Sequence, residues 1–422
     1  MSSHLKNMNN DQSDKVPPLS KIARELAPSG IRKFFDIAAK MHDVISLGVG
    51  EPDFVTPWGI REAGIYSIEK GQTTYTSNYG LIELRQEISK HLDKRYGVKY
   101  SPDSEILVTV GVSEGMDLAM RAIIDPGDQV LVPEPCYVSY RPCVSLAGGD
   151  PVGVVTTNKD DFRVSVAQLE KSVTPKTKAI ILGFPSNPTG ATMPRQALQE
   201  IVDFADKHNL YIISDEIYDR LTYEGEHTCL ASLNNAMQRT ITLNGFSKSY
   251  AMTGWRIGYA CAPPTVLTAM MKIHSYTALC APITAQKAAL EALRHAENAV
   301  EDMVMQYNQR RRLIVDGLNA IGLKCHLPAG AFYAFPSIEA TGLSCEEFAE
   351  RLLYEEHVAV VPGTAFGESG AGHIRCSYAT SIEKIEIALE RMGRFVEKVA
   401  PELISKIKAD KTTVIGTQPA AT

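Results

Sequence analysis

"KAIILGFPSNPTGATMPRQALQEIVDFADKHNLYIISD", residues 178–215, holds two short apolar runs with a helical pattern between them. "KAIILGF" (178–184) and "LYIISD" (210–215) are bounded by turn residues and read as strands. "RQALQEIVDFADKH" (195–208) is an amphipathic helix, its apolar residues recurring on one face. Short apolar strands separated by helices of this length imply an α/β fold with a mostly parallel sheet.

The same alternation runs outward in both directions. "EILVTV" (105–110) reads as a strand, "SEGMDLAMRAII" (113–124) as a helix and "DQVLVPE" (128–134) as the next strand. "TITLNGF" (240–246) and "WRIGYACA" (255–262) add two more strands. The pattern changes after about residue 265. One long helical stretch over roughly 283–318 is followed by "AFYAFPSI", "CEEFAERLLYEEH", "VAVVPG", "HIRCSYA" and a closing helix from 381. The fold class predicted is α/β, with a large domain built on a mostly parallel central sheet and a smaller C-terminal α/β domain. The expected limits are a flexible lead-in at 1–19, an N-terminal arm at 20–55, a large domain at 56–295, a small domain at 296–398 and a flexible tail at 399–422.

Bulk composition narrows the function. The 422 residues are 44% hydrophobic and 22% charged, enough for a substantial core. A net charge of −6 without a long basic run gives no electrostatic support to nucleic-acid or anionic-membrane binding. No apolar run approaches the roughly 20 residues that cross a bilayer, and the polar N-terminus lacks an apolar signal core. The eight cysteines are scattered with no CxxC. That pattern argues against a disulfide framework or a zinc site and fits a reducing, cytoplasmic setting. No metal site is expected.

Polar residues gather where the strands end. Asn187 follows the strand at 178–184, Asp215 and Tyr218 close the one at 210–215, Lys248 follows the one at 240–246, and "GVSEG" follows the one at 105–110 and opens a helix. Ligands of open α/β sheets bind beyond the carboxyl ends of the strands, so four such ends suggest one shared cleft. Each residue also has a plainer reading. Asn187-Pro188-Thr189-Gly190 is a turn sequence; Asp215 suits a helix N-cap; Tyr218 suits packing; Lys248 suits solvent; Arg256 suits a surface ion pair. The glycine pair in "LGVGEPDF" is not a dinucleotide loop, since Asp53 stands where the third glycine belongs and no βαβ start surrounds it.

Taken together, "YTSNYGLIELRQEI", "TVGVSE", "PEPCYVSY", "FPSNPTG", "SDEIYD", "NGFSKSYAMTGWRIGY" and "HIRCSYA" resemble, in order, the class I/II aminotransferases of the fold-type I pyridoxal-phosphate enzymes. The likeness spans about residues 20–397 and is nearest to the aspartate and aromatic aminotransferase branch. It implies pyridoxal 5′-phosphate as cofactor, with Lys248 as the amine that bonds its aldehyde and then shuttles the substrate's α-proton. Burial and the Arg256 charge are expected to lower the Lys248 pKa. The resemblance places Asp215 at the ring nitrogen and Asn187 and Tyr218 at the phenolic oxygen. Tyr137 would stack on the ring. Val112, Ser113, Glu114, Ser247 and Arg256 would hold the phosphate, Glu114 through its backbone. Tyr75 would reach the phosphate of a neighbouring subunit, which makes the active unit a homodimer. Arg375 would grip the substrate α-carboxylate in a two-pronged pair, with Gly50 and Asn187 nearby. The activity implied is transfer of the amino group of an L-amino acid (aromatic, aspartate or similar) to a 2-oxo acid such as 2-oxoglutarate. The same residues would serve a β-elimination lyase, and a non-catalytic cofactor-sensing regulator is a third reading.

Overall fold

The computed structural model describes residues 17–28 and 41–405. The lead-in and tail fall largely outside these residues, as does part of the N-terminal arm. Of the tail, residues 401–405 are helical.

After the short strand β1 (Ile45–Ser46), seven strands make the central sheet: β2 (Ile106–Thr109), β3 (Gln129–Glu134), β4 (Asp150–Val155), β5 (Thr177–Gly183), β6 (Tyr211–Asp215), β7 (Thr240–Gly245) and β8 (Gly258–Cys261). They lie in the order β2-β8-β7-β6-β5-β3-β4. Only β8 runs against its neighbours; every other pair is parallel. The interior strands are buried along nearly their whole length because both faces are covered, and β5 and β6 are rich in Ile and Leu. Along β5 and β6, Ala179, Ile181 and Ile213 pack with Met116, Ala119 and Met120 of the helix Gly111–Ile123. The alternate residues Ile180, Leu182 and Ile212 pack with Leu198, Ile201 and Val202 of the helix Arg195–Lys207. This period of two is what fixes the register.

Two expectations need correction. The strand expected at 255–262 begins only at Gly258, because Arg256 sits in the left-handed region at φ 51° directly after a turn over Thr253–Trp255. The single helix expected over 283–318 is two, Ile283–His295 and Glu297–Ala320, broken where Ala296 leaves helical geometry at φ −101°, ψ 16°.

A second, smaller sheet pairs β9 (Tyr333–Ala334), β12 (Ile374–Ser377) and β11 (Val361–Pro362), with β12 central and antiparallel to both. Beside it, β10 (Val358–Ala359) pairs in parallel with β1. The helix Ile382–Val399 covers this region with Ile385, Ala388, Met392, Phe395 and Val396, and Phe395 meets Phe348 edge to face at 5.1 Å. Residues 45–56 therefore run from beside the small sheet to the loop between β7 and β8 of the large one. Leu47 O accepts from Ser377 N at 2.6 Å, and Thr56 Oγ1 donates to Ala251 O at 2.6 Å. No described helix is long and apolar enough to cross a membrane.

Candidate active site

Register brings the chemistry together. Gly183, Asp215 and Leu243 are side by side across β5, β6 and β7, so the residues just past those positions open on one edge of the sheet. There they line a cavity of about 460 Å³ with Gly50, Val112, Ser113, Tyr137, Asn187, Asp215, Tyr218, Ser247, Lys248, Arg256 and Arg375 on its walls. Arg375 arrives from β12 of the small sheet and the Gly50 segment from the chain that bridges the two sheets.

Asp215 is buried at the cavity floor. Its Oδ2 accepts from the Tyr140 hydroxyl at 2.8 Å and its Oδ1 from the Ile217 N–H at 3.3 Å. Burial pushes its pKa up to about 6, against the pull of those two bonds. Lys248 Nζ donates to Gly50 O at 2.5 Å and lies 5.8 Å from the centre of the Tyr218 ring. Its pKa falls to about 8, first through burial and next through the Arg375 charge, with Glu51 opposing and Arg256 adding a smaller push. The sequence pointed to Arg256 as the charge responsible; the fold sets Arg375 ahead of it.

Arg375 is 2% exposed, and burial lowers its pKa. Its Nη1 donates to Asn187 Oδ1 at 2.9 Å, its Nη2 to Gly48 O, and its Nε has no partner. A buried donor left unmatched costs roughly 1–3 kcal/mol, and an incoming carboxylate relieves it. At the opposite side the helix Gly111–Ile123 begins without a side-chain cap on its first residue, so its first N–H groups are open to an anion. Gly111 adopts φ +74°, and a Cβ there would sit 2.7 Å from Arg256 Nη2. Glycine thus lets the guanidinium lie against the helix start.

Two residues named from the sequence, Glu114 through its backbone and Tyr75 for a neighbouring subunit, are not among those lining this cavity. The Glu114 carboxylate turns away, with Oε2 accepting from Val110 N at 2.5 Å and Oε1 meeting His274 Nδ1 at 2.7 Å. It anchors the helix start, and only its backbone N–H remains for a ligand. Tyr75 is 81% exposed and lies outside the cavity of its own chain. Conversely, the sequence reading passed over Tyr140 and Tyr333. Tyr140 bonds Asp215, and Tyr333 shares a 2.7 Å hydrogen bond with Tyr218. Tyr140 stands three residues after Tyr137 in "PEPCYVSY" and opens the helix Tyr140–Leu146, with nothing in that stretch to mark its partner 75 residues on. Among the described residues no group of acids, cysteines and histidines is placed to hold a metal.

A mostly parallel sheet with an amine and a buried carboxyl at its strand ends, and Arg256 and Arg375 on the same walls, makes a cavity suited to a small anionic ligand. The sequence profile described as aminotransferase class I and II matches residues 42–392, and the chain belongs to that family. It is 56% identical over 380 residues to a putative aminotransferase, YugH, of Bacillus subtilis, spanning 90% of this chain and 98% of that protein. It is 48% identical to an aspartate aminotransferase of Pyrococcus abyssi, over 88% of this chain and 96% of the relative. Among known structures, an aromatic aminotransferase of Pyrococcus horikoshii superposes with a TM-score of 0.84 at 45% identity, covering 88% of this chain and 100% of that one. The protein is an aminotransferase, and the elimination and regulator readings gain nothing from these relatives.

Proposed function

We propose that the cavity holds pyridoxal 5′-phosphate, bonded through its aldehyde to Lys248. The enzyme then moves the amino group of an L-amino acid to a 2-oxo acid such as 2-oxoglutarate. The observation that carries this reading is the convergence of Asn187, Asp215 and Lys248 from three neighbouring strand ends, with Arg375 from the small sheet, on one cavity of about 460 Å³. The donor set fits the group: an uncapped helix start with Ser247 and Arg256 for a phosphate, a buried carboxyl for a ring nitrogen, and an unmatched buried Nε on Arg375. When bound, the cofactor supplies a ring that withdraws electrons from the substrate's α-carbon.

The chain's own residues do the rest. The N–H groups at Val112, Ser113 and Glu114, together with Ser247 and Arg256, hold the phosphate. Tyr137 flanks the ring, Asp215 keeps its nitrogen protonated, and Asn187 and Tyr218 donate to its phenolic oxygen. Arg375 orients the substrate carboxylate with two prongs. Lys248 Nζ, with a pKa near 8, takes the α-proton as a base and returns it as an acid. With domain limits at 56–295 and 296–398, substrate held between Lys248 and Arg375 bridges the two domains.

The cations on the cavity wall are Lys248, Arg256 and Arg375, each already engaged, and Glu51 is an acid beside them. This supports aromatic and other apolar side chains at least as well as aspartate. A homodimer is supported by the exposed apolar residues Trp58, Ile65, Tyr66 and Ile68 of the helix Trp58–Glu69, with Tyr75 and Tyr276 also exposed. In it Tyr75 reaches the phosphate site of the second copy. We place the enzyme in the cytoplasm. The test is reconstitution with pyridoxal phosphate and a panel of about 20 amino acids with 2-oxoglutarate. Keto products from aromatic amino acids or aspartate are expected. Pyruvate and ammonia formed without an acceptor would favour the lyase.

A further inference from the structure

We infer that Tyr333 sets the direction in which Tyr218 offers its proton: the Tyr333 hydroxyl donates to the Tyr218 oxygen, and Tyr218 therefore donates into the cavity. The inference rests on the cofactor reading above. Both rings are buried, their planes are 79° apart, and their hydroxyl oxygens are 2.7 Å from each other. Among the described residues neither hydroxyl has another hydrogen-bond partner. Each phenol carries one proton. One bond between two phenols consumes one of the two, and the ring that accepts keeps its proton available to the cavity that both line.

The surroundings decide which ring that is. The Arg375 guanidinium carbon lies 4.5 Å over the centre of the Tyr333 ring. A fixed positive charge on that face draws electron density from the phenol and makes Tyr333 the stronger donor. Burial raises the pKa of both phenols and the Arg375 charge opposes that rise at both, but the shared bond opposes the rise at Tyr333 and adds to it at Tyr218. Space fixes the arrangement further. A Cβ on Gly50 would stand 2.5 Å from the Tyr333 hydroxyl, so glycine is what admits that oxygen beside the chain segment that also receives Lys248 Nζ. Tyr333 is thus a positioning residue. It links the arginine expected to hold the substrate carboxylate to the phenol expected to face the cofactor's phenolic oxygen.

The test is a double-substitution cycle on the full chain reconstituted with pyridoxal phosphate, read without substrate as the pH midpoint of the cofactor's visible absorbance. Removing a donor from the phenolic oxygen makes that oxygen more basic and moves the midpoint up. Tyr218→Phe is expected to raise it by about one to two units, the worth of a hydrogen bond to a charged oxygen. Tyr333→Phe leaves Tyr218 in place but strips the bond that polarises it, and a rise of roughly half a unit is expected. In the Tyr218→Phe background, Tyr333→Phe should add nothing. An unchanged midpoint in Tyr333→Phe, or equal shifts from Tyr333→Phe in both backgrounds, overturns the inference and leaves the cofactor reading standing. If the unsubstituted chain shows no absorbance band that depends on Lys248, the cofactor reading falls and takes this inference with it.

Discussion

Replacing Tyr140 with phenylalanine removes one oxygen and keeps the ring. That oxygen donates to the buried Asp215 carboxylate at 2.8 Å. Asp215 already stands at about 6, lifted from 3.8 by burial, with the Tyr140 bond restraining the rise. A hydrogen bond to a charged group contributes ~1.5–3 kcal/mol and one to a neutral group ~0.5–1.5, a difference of ~1–1.5 kcal/mol or about one pKa unit. Tyr140→Phe should therefore carry Asp215 to about 7. The folded chain holds this proton more tightly than the unfolded one. Asp215's stabilising contribution is thus fully present below the unfolded pKa and lost as pH rises through the folded value. At pH 5 the carboxyl is mostly protonated with or without Tyr140, and the substitution removes only a neutral hydrogen bond, ~0.5–1.5 kcal/mol. At pH 8.5 the carboxylate must be charged without its donor, and the penalty grows by roughly 1–1.5 kcal/mol. Urea unfolding of the cofactor-free chain and its variant at these two pH values measures the difference. An equal penalty at both would refute the claim that Tyr140 acts by holding the Asp215 anion.

Two further outcomes follow from the same geometry. Amine-directed labelling of Lys248 in the cofactor-free chain should rise with a midpoint near pH 8, and Arg375→Met should move that midpoint up more than Arg256→Met does; peptide-resolved labelling across pH reads both. Gly111→Ala forces a side chain into φ +74° and against Arg256. It should cost about 1–2 kcal/mol of stability and weaken pyridoxal phosphate binding about tenfold or more, whereas Glu114→Gln keeps the cavity walls unchanged and should weaken it less.

The large sheet was legible because its strands are buried on both faces. Continuous apolar runs such as 178–184 and 210–215 survive in any context, and the polar residues just past them, Asn187, Asp215 and Lys248, mark where the sheet opens. What escaped depends on partners far away in the chain. The Tyr140–Asp215 bond joins residues 75 apart, and the Tyr218–Tyr333 bond joins residues 115 apart. Neither pairing leaves a trace in local periodicity. Arg256 stood out in the sequence as a lone charge near Lys248, but its left-handed backbone, which cuts β8 short, is a property of the turn before it. Glu114 reads as one more polar residue at a helix start; that its carboxylate is spent on Val110 and His274 is visible only once the helix Pro264–Thr277 is packed beside it.

The most direct measurement is borohydride reduction of the chain after mixing with pyridoxal phosphate, followed by mapping of the labelled peptide. A stable adduct on Lys248, with turnover abolished in Lys248→Ala, is the predicted result. An adduct on a different lysine, or a Lys248→Ala variant that still transfers amino groups at the normal rate, would contradict it.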